Sequence, residues 1–444
     1  MGLVVDNTHR ICYNMVEYIR NEKAVIIMAL LYGNAVVGQS GGPTTAINAT
    51  LAGVIYGAMN CDCIGKIYGM RNGVEGLLEE RLIELNSIFE GCEDKLESLK
   101  RTPAAALGSC RKKLPSPDKS DYEKTFDKLI KIFEKYDIRY FFYIGGNDSM
   151  DTVAKLSEYT KSCGYEMRII GVPKTIDNDL KGTDHTPGFG SAAKFISVVM
   201  QEIIKDTQVY TIPAVTVVEI MGRDAGWLTA SAALGRLVSG EAPDLVYLPE
   251  REFDIDEFID DIKEILKTKP NVVVAVSEGI VCKGGQYIGD STQGRGVDAF
   301  GHKALSGTAK GLEMIVKERV GCKVRSVELN LPQRCGAHIA SECDISESFG
   351  VGRAAVMAAE QGVSREMMVI IRNNDAGEPY SSVFGHMDIE LIANKTKFVP
   401  AHYINERGNN VTDECLEYIL PLISGECYPA YKNGLPQFFT FDKN

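Results

Sequence analysis

From Tyr32 onward, short apolar runs alternate with longer amphipathic ones, and that alternation restricts the fold more than any other feature of the chain. AVVG at 35–38 predicts a buried strand, and Ile47, Leu51 and Ile55, spaced by four, predict a helix after GGP. The pair recurs. RYFFYIGG predicts a strand, DSMDTVAKLSEYTKS a helix and EMRIIGVP the next strand. AVTVVEIMG then precedes RDAGWLTASAALGRLV, DLVYLPE precedes DIDEFIDDIKEILKTKP, and NVVVAVSEG follows. Strands separated by helices of about ten to fifteen residues build parallel βαβ units with helices on both sheet faces. The class is therefore α/β, in which ligands bind beyond the carboxyl ends of the strands. Functional residues are to be sought just after strands.

With 444 residues the chain has room for two or three domains and ample core. A net charge of −12 disfavours nucleic acid or an anionic membrane as partner, while leaving room for a local basic pocket. The twelve cysteines are scattered, with only Cys61 and Cys63 close and no CxxC pair, which suggests reduced thiols in a cytoplasmic protein. The apolar run AVIIMALLYG from Ala24 is about half the length of a bilayer span and lacks a secretory cleavage pattern. Residues 1–33 read as an N-terminal appendage, with Met28 inside that run as an alternative start.

Four constellations follow predicted strands. GQSGGPTTAIN (38–48) is a strand-to-helix turn whose glycines either bring backbone N–H groups close to an anion or simply make a tight turn. YIGGNDSMD (143–151) repeats the arrangement, and Asn147, Asp148 and Ser149 are all good helix N-caps. Asp148, however, puts a carboxylate where an anion would bind. GVPKTIDNDLKG (171–182) packs Lys174, Thr175, Asp177 and Asp179 together. Turn chemistry accounts for such a run, and so does a carboxylate that takes a proton from a hydroxyl beside bound phosphate. Arg111, Arg223, Glu278, Arg325 and Arg334 complete the set, with Arg223 and Glu278 directly after strands. Arginine grips phosphate bidentately, whereas His185, His338 and His386 have no nucleophile or metal set to pair with. HExxH is absent, so metal-hydrolase chemistry of that kind has no foothold.

SGGPTTAIN, GGNDS, PKTIDND, MGRDAGW, VSEG and PQRCG, in this order, resemble the phosphofructokinase family over about residues 34–385. The resemblance implies two Rossmann-like three-layer α/β/α domains with mostly parallel sheets and the active site in the crevice between them. Residues 34–190 plus 334–385 would bind the phosphoryl donor, 191–333 fructose 6-phosphate, and 386–444 would form an extension packed on the core. It implies Asp177 as the base for the sugar 1-hydroxyl, with Thr175, Ile176 and Asp179 holding the sugar end and the transferring group. Met221, Gly222 and Arg223 would line the sugar site, and Glu278 would bind its hydroxyls. Arg334 and Arg325 would hold the 6-phosphate, Arg325 from a neighbouring subunit of a homo-oligomer (dimer or tetramer). Arg111 would touch the transferred phosphoryl group, Gly42 would lie under the donor, and Asn147 would stand near Mg²⁺. The implied reaction is direct, reversible transfer in glycolysis or gluconeogenesis.

Departures from the ATP-using pattern are informative. Asp148 replaces the last glycine of GGDG, and Lys174 replaces the glycine of PGTIDND, as in the family's pyrophosphate-dependent branch. A carboxylate at 148 would occupy the place of a nucleotide α-phosphate and repel it by roughly several kcal/mol at about 4 Å. Pyrophosphate lacks that group, and Lys174 can neutralise its leaving phosphate, so attraction and exclusion point to the same donor. Asn147 stands where many relatives have Asp, Ala46 where they have a donor-loop glycine, and Ala214 and Leu331 where they have 6-phosphate ligands. The rival readings are an ATP-dependent enzyme, a non-catalytic regulatory subunit of the same fold, and a sugar-phosphate binding protein.

Overall fold

The computed structural model describes residues 30–291, 307–373 and 379–441, so nearly all of the expected N-terminal appendage lies outside the described residues. In chain order the principal strands are β1 (Gly33–Gln39), β2 (Ile64–Met70), β3 (Leu82–Glu84), β4 (Ile138–Gly145), β5 (Arg168–Pro173), β6 (Ala214–Ile220), β7 (Leu245–Tyr247), β8 (Asn271–Ser277), β9 (Lys323–Glu328), β10 (Glu366–Arg372) and β11 (Ser382–Asp388). They form two sheets. The larger has the order β11-β10-β5-β4-β1-β2-β3, parallel except for its edge strands β3 and β11. The smaller, β9-β6-β8-β7, is parallel throughout. The α/β class expected from the alternation is what the chain adopts.

The central strands are apolar along their length because helices cover both faces. β4 is buried at seven of eight positions and β8 at all seven. On one side of the larger sheet, helix α1 (Ile47–Met59) packs against α2 (Glu342–Glu360) so closely that their backbones touch. A Cβ on Gly53 would stand 2.0 Å from the Phe349 carbonyl oxygen, and one on Gly352 2.2 Å from that of Thr50. Only glycine permits this crossing. It brings residues from 342 onward back against the sheet that contains β1.

One element differs from expectation. RDAGWLTASAALGRLV is not a single helix but two short ones, Trp227–Ser231 and Gly235–Val238. The turn between them falls at 232–234, and Gly235, which opens the second helix, is pressed so tightly against Gln201 and the Glu241 carbonyl that a side chain there would displace one of them. The segment after β11 wraps over both apolar layers. Ile419 and Leu422 join the cluster around Phe189 and Trp227, whereas Phe439 and Phe441 stack near Phe89.

Beneath the crossing lies a buried ion cluster. His185 Nδ1 meets Asp184 Oδ1 at 3.0 Å, its Nε2 meets Glu347 Oε2 at 2.6 Å, and Tyr380 donates to Glu347. Burial alone would lower the imidazole pKa, but hydrogen bonds and charge from Asp184 and Glu347 raise it above the usual value. Both carboxyls are held low despite burial, by hydrogen bonds to His185. The histidine's contribution is therefore complete below about pH 6.5 and fades as pH rises through its folded value. The carboxylates' contribution fades as pH falls through their own lowered values. His185→Gln should cost about 3 kcal/mol between about pH 5 and 6.5, and less by pH 9. Urea unfolding across that range checks this; a pH-independent deficit would contradict the ion-pair account.

Candidate active site

In a parallel sheet all carboxyl ends leave from one edge. Register pairs Gln39 with Ile144 and Gly145 with Pro173, so the segments after β1, β4 and β5 emerge side by side. In the smaller sheet Ile220 pairs with Ser277, which sets the Met221 turn beside Glu278. Between these two edges lies a cleft of about 260 Å³. The larger sheet contributes Gly41, Gly42, Asn147, Asp148, Lys174 and Asp177 to its walls, and the smaller contributes Arg223, Asp224 and Glu278.

The glycine turn is pinned rather than loose. Gly41 N donates to the Cys110 carbonyl at 3.1 Å, Ser109 Oγ to the Gly41 carbonyl at 2.6 Å, and Lys174 Nζ to the Gly42 carbonyl at 2.7 Å. Gly41 has φ +78°, and a Cβ there would stand 3.3 Å from Lys174 Nζ. This backbone needs glycine twice over. Arg111 lines the cleft, and Arg334 Nη1 stands 3.3 Å from where a Gly42 side chain would begin. Three cations thus converge on one turn.

At the second turn the helix Asn147–Cys163 begins at Gly146, and no side chain caps it. The capping role open to Asn147, Asp148 and Ser149 is not taken. Instead Asp148 Oδ1 pairs with Lys113 Nζ at 2.9 Å, and Asn147 Nδ2 donates to the Lys395 carbonyl at 3.2 Å. Asn147 Oδ1 is buried without a hydrogen-bond partner among the described residues.

At the loop after β5, both readings of its sequence hold together. Thr175 Oγ1 accepts from Asp177 N at 3.1 Å, and Asn178 takes left-handed φ +52°, as turn chemistry requires. The same turn leaves Asp177 and Asp179 half-buried at the cleft. Burial pushes Asp177 up to about 7, with Asp179 adding and Lys174 opposing. Asp179 is also raised by burial. Burial lowers Lys174 to about 8 against the pull of Asp177, and pushes Glu278 up to about 8, with Asp177 adding. A carboxyl near 7 beside a cation and a glycine turn can exchange a proton with a bound hydroxyl at neutral pH.

The remaining expected residues are placed as follows. Gly222 N donates to Glu278 Oε1 at 3.3 Å, and Met221 lines a smaller cavity that shares Glu278 with the cleft. Ile176 faces inward to the apolar cluster with Phe189, because the loop alternates its side chains between cleft and core. Arg325 lies away from this chain's own cleft, half-exposed on edge strand β9 and paired with Asp206 at 2.9 Å. Lys113 and Asp224 belong to the cleft region and were not singled out from sequence, although each lies within two residues of a motif arginine. That nearness was the available signal.

The phosphofructokinase family model matches residues 34–358. The pyrophosphate–fructose 6-phosphate 1-phosphotransferase of Halomonas elongata is 40% identical over 93% of this chain and 96% of its own length. Its counterpart from Methylococcus capsulatus is 37% identical over 92% of this chain and 95% of its own. The crystal structure of a pyrophosphate-dependent phosphofructokinase from Nitrosospira multiformis superposes with a TM-score of 0.82 at 37% identity, covering 92% of this chain and 96% of that one.

The raised Asp177 carboxyl has a consequence for stability. It titrates near 7 when folded, against about 3.9 when unfolded, so stability falls as pH rises between those values. Asp177→Asn should raise Tm relative to wild type more at pH 8 than at pH 5. Thermal unfolding at the two pH values measures it, and an equal change at both would mean that the carboxyl is not raised.

Proposed function

The chain belongs to the phosphofructokinase family, and from that premise we propose that it transfers a phosphoryl group from pyrophosphate to the 1-hydroxyl of fructose 6-phosphate, giving fructose 1,6-bisphosphate and phosphate. The observation that carries this reading is the cleft's arrangement. A buried lysine holds the glycine turn, Asp148 stands at the start of the next helix, and a carboxyl near 7 lies beside them.

The sugar's 1-oxygen attacks one phosphorus of pyrophosphate in line while the bond to the bridging oxygen breaks. The bridging electron pair leaves on the second phosphate, and Asp177 takes the hydroxyl proton. Lys174 neutralises the leaving phosphate and Arg111 the transferring group, so positioning and charge carry the rate. No nucleophile is placed for a covalent intermediate. Near neutral pH Asp177 populates both protonation states, which supports reversibility, because the reverse step needs the acid form. Mg²⁺ fits this cleft. Asn147 Oδ1, a buried hard oxygen without a partner among the described residues, would hold it together with phosphate oxygens. When bound, the ion would neutralise charge on the phosphates.

Glu278 and Gly222 serve the sugar hydroxyls, and Arg334 its 6-phosphate. Arg325, on an exposed edge strand outside this chain's cleft, is assigned to the site of a second copy in a homo-oligomer.

Asp148 selects the donor by occupancy more than by charge, since Lys113 already pairs with it. In parallel kinetics at fixed fructose 6-phosphate and Mg²⁺, wild type should use pyrophosphate and not ATP. Asp148→Gly should shift the ratio of kcat/KM values toward ATP, and Asp148→Asn less, because bulk remains. Adding Lys174→Gly should depress pyrophosphate use further. A wild type that prefers ATP, or an unchanged ratio in Asp148→Gly, would sink this reading.

Asp177→Asn should cut kcat by about 10²–10⁴-fold while sugar binding persists. Wild-type kcat/KM should rise with pH to about 7 as Asp177 ionises, then fall above about 8 as Lys174 loses its proton. An acidic limb that stays near 7 in Asp177→Asn would move the base to another group.

A further inference from the structure

Behind the catalytic loop runs a segment that the reaction, as described, does not use. Thr396 bridges Leu180, and Lys397 N donates to the Asp179 carbonyl at 2.7 Å. The Lys397 ammonium turns inward and donates to Asn178 Oδ1 at 3.0 Å, the Asp184 carbonyl at 2.6 Å and the Thr183 carbonyl at 3.3 Å. One side chain thus ties Asn178, the residue after Asp177, to the backbone at Thr183 and Asp184. Asn178 is fully buried and left-handed, so the turn needs support from behind.

The same segment also grips the opposite wall of the cleft. Trp227 Nε1 donates to the Lys397 carbonyl at 3.1 Å, and the Lys397 ammonium lies 5.4 Å from the centre of the indole ring. Two residues on, Val399 N and Gly226 N both donate to Glu250 Oε1 at 2.9 Å. Gly226 and Trp227 close the loop that carries Arg223 and Asp224 into the cleft. Loops from two different sheets are therefore tied through one residue that touches neither donor nor acceptor in the proposed reaction.

We propose that Lys397 is a positioning residue that clamps the Asp177–Asp179 loop to the Arg223–Trp227 loop and so sets the spacing between the base and the sugar wall. The proposal rests on the phosphotransferase reading given above. A clamp of this kind acts on geometry at the reacting atoms, where a displacement of about 1 Å costs about 10²-fold in rate. Contacts to bound substrates stay in place, so KM is spared while kcat falls.

The chain's single tryptophan is Trp227, which makes the clamp visible by fluorescence. Full-length Lys397→Met is compared with wild type for kcat, KM of each substrate, Tm and tryptophan emission. The expected result is a kcat lower by about 10²-fold, both KM values within about threefold, Tm within a few degrees and a changed Trp227 emission. A folded variant with kcat within about threefold of wild type overturns the proposal, as does a raised KM with kcat retained. If Lys397→Met does not fold, Trp227→Phe decides, because it removes the indole N–H donor while keeping an aromatic ring at that place. A kcat reduced by about threefold or more at unchanged KM supports the clamp, and wild-type kcat overturns it. The substrates that wild type uses are established first. Failure of pyrophosphate or fructose 6-phosphate overturns the functional reading alone, and the Lys397 comparison then proceeds on the donor and acceptor actually turned over.

Discussion

Two carboxylates and two ammonium groups are partly withdrawn from water around one turn, and the architecture of the cleft follows from keeping them satisfied. Asp177 and Asp179 are raised by burial, and Lys174 and Lys397 are each lowered to about 8 by it. Lys174 stands on the cleft side and Lys397 behind, so the turn is held between opposite charges. Unpaired, such groups would cost several kcal/mol each. Burial, with Asp179 adding and Lys174 only partly opposing, is what brings the Asp177 pKa near neutrality.

That turn is usable only because the two sheets present their carboxyl ends to each other. The larger sheet brings glycine turns and cations, the smaller brings Arg223, Asp224 and Glu278, and neither wall carries a complete site. The donor wall has its own economy of charge. Asp148 is joined to Lys113 rather than left to repel, so in the proposed reaction selection at this point would act through the space the pair fills. The estimate of several kcal/mol for a bare carboxylate overstates the electrostatic share once that partner is seen.

Much of this was legible from residues alone, for a local reason. Strand period, helix period and turn chemistry are short-range, and in parallel sheets they place every post-strand loop at one edge. The glycine turns, Lys174, Asp177 and Glu278 were found that way. The close packing of Gly235 after the helix break was not, because one of its neighbours, Gln201, is more than thirty residues away in the chain. Nor was the capping question at Asn147 and Asp148, where Lys113 and Lys395 compete for the side chains.

The sequence by itself determined the α/β class, the edge on which the site lies and most of the side chains lining it, since these depend on patterns a few residues long. Tertiary structure decided which partner each charged group meets, and hence its proton affinity and its role. Lys397 shows the difference. It lies more than two hundred residues from Asp177, in a segment with no motif, and only the chain's return past β11 brings it behind the Asp177 turn. Pairwise electrostatics and hydrogen bonding act over a few ångströms of space, whatever the separation along the chain.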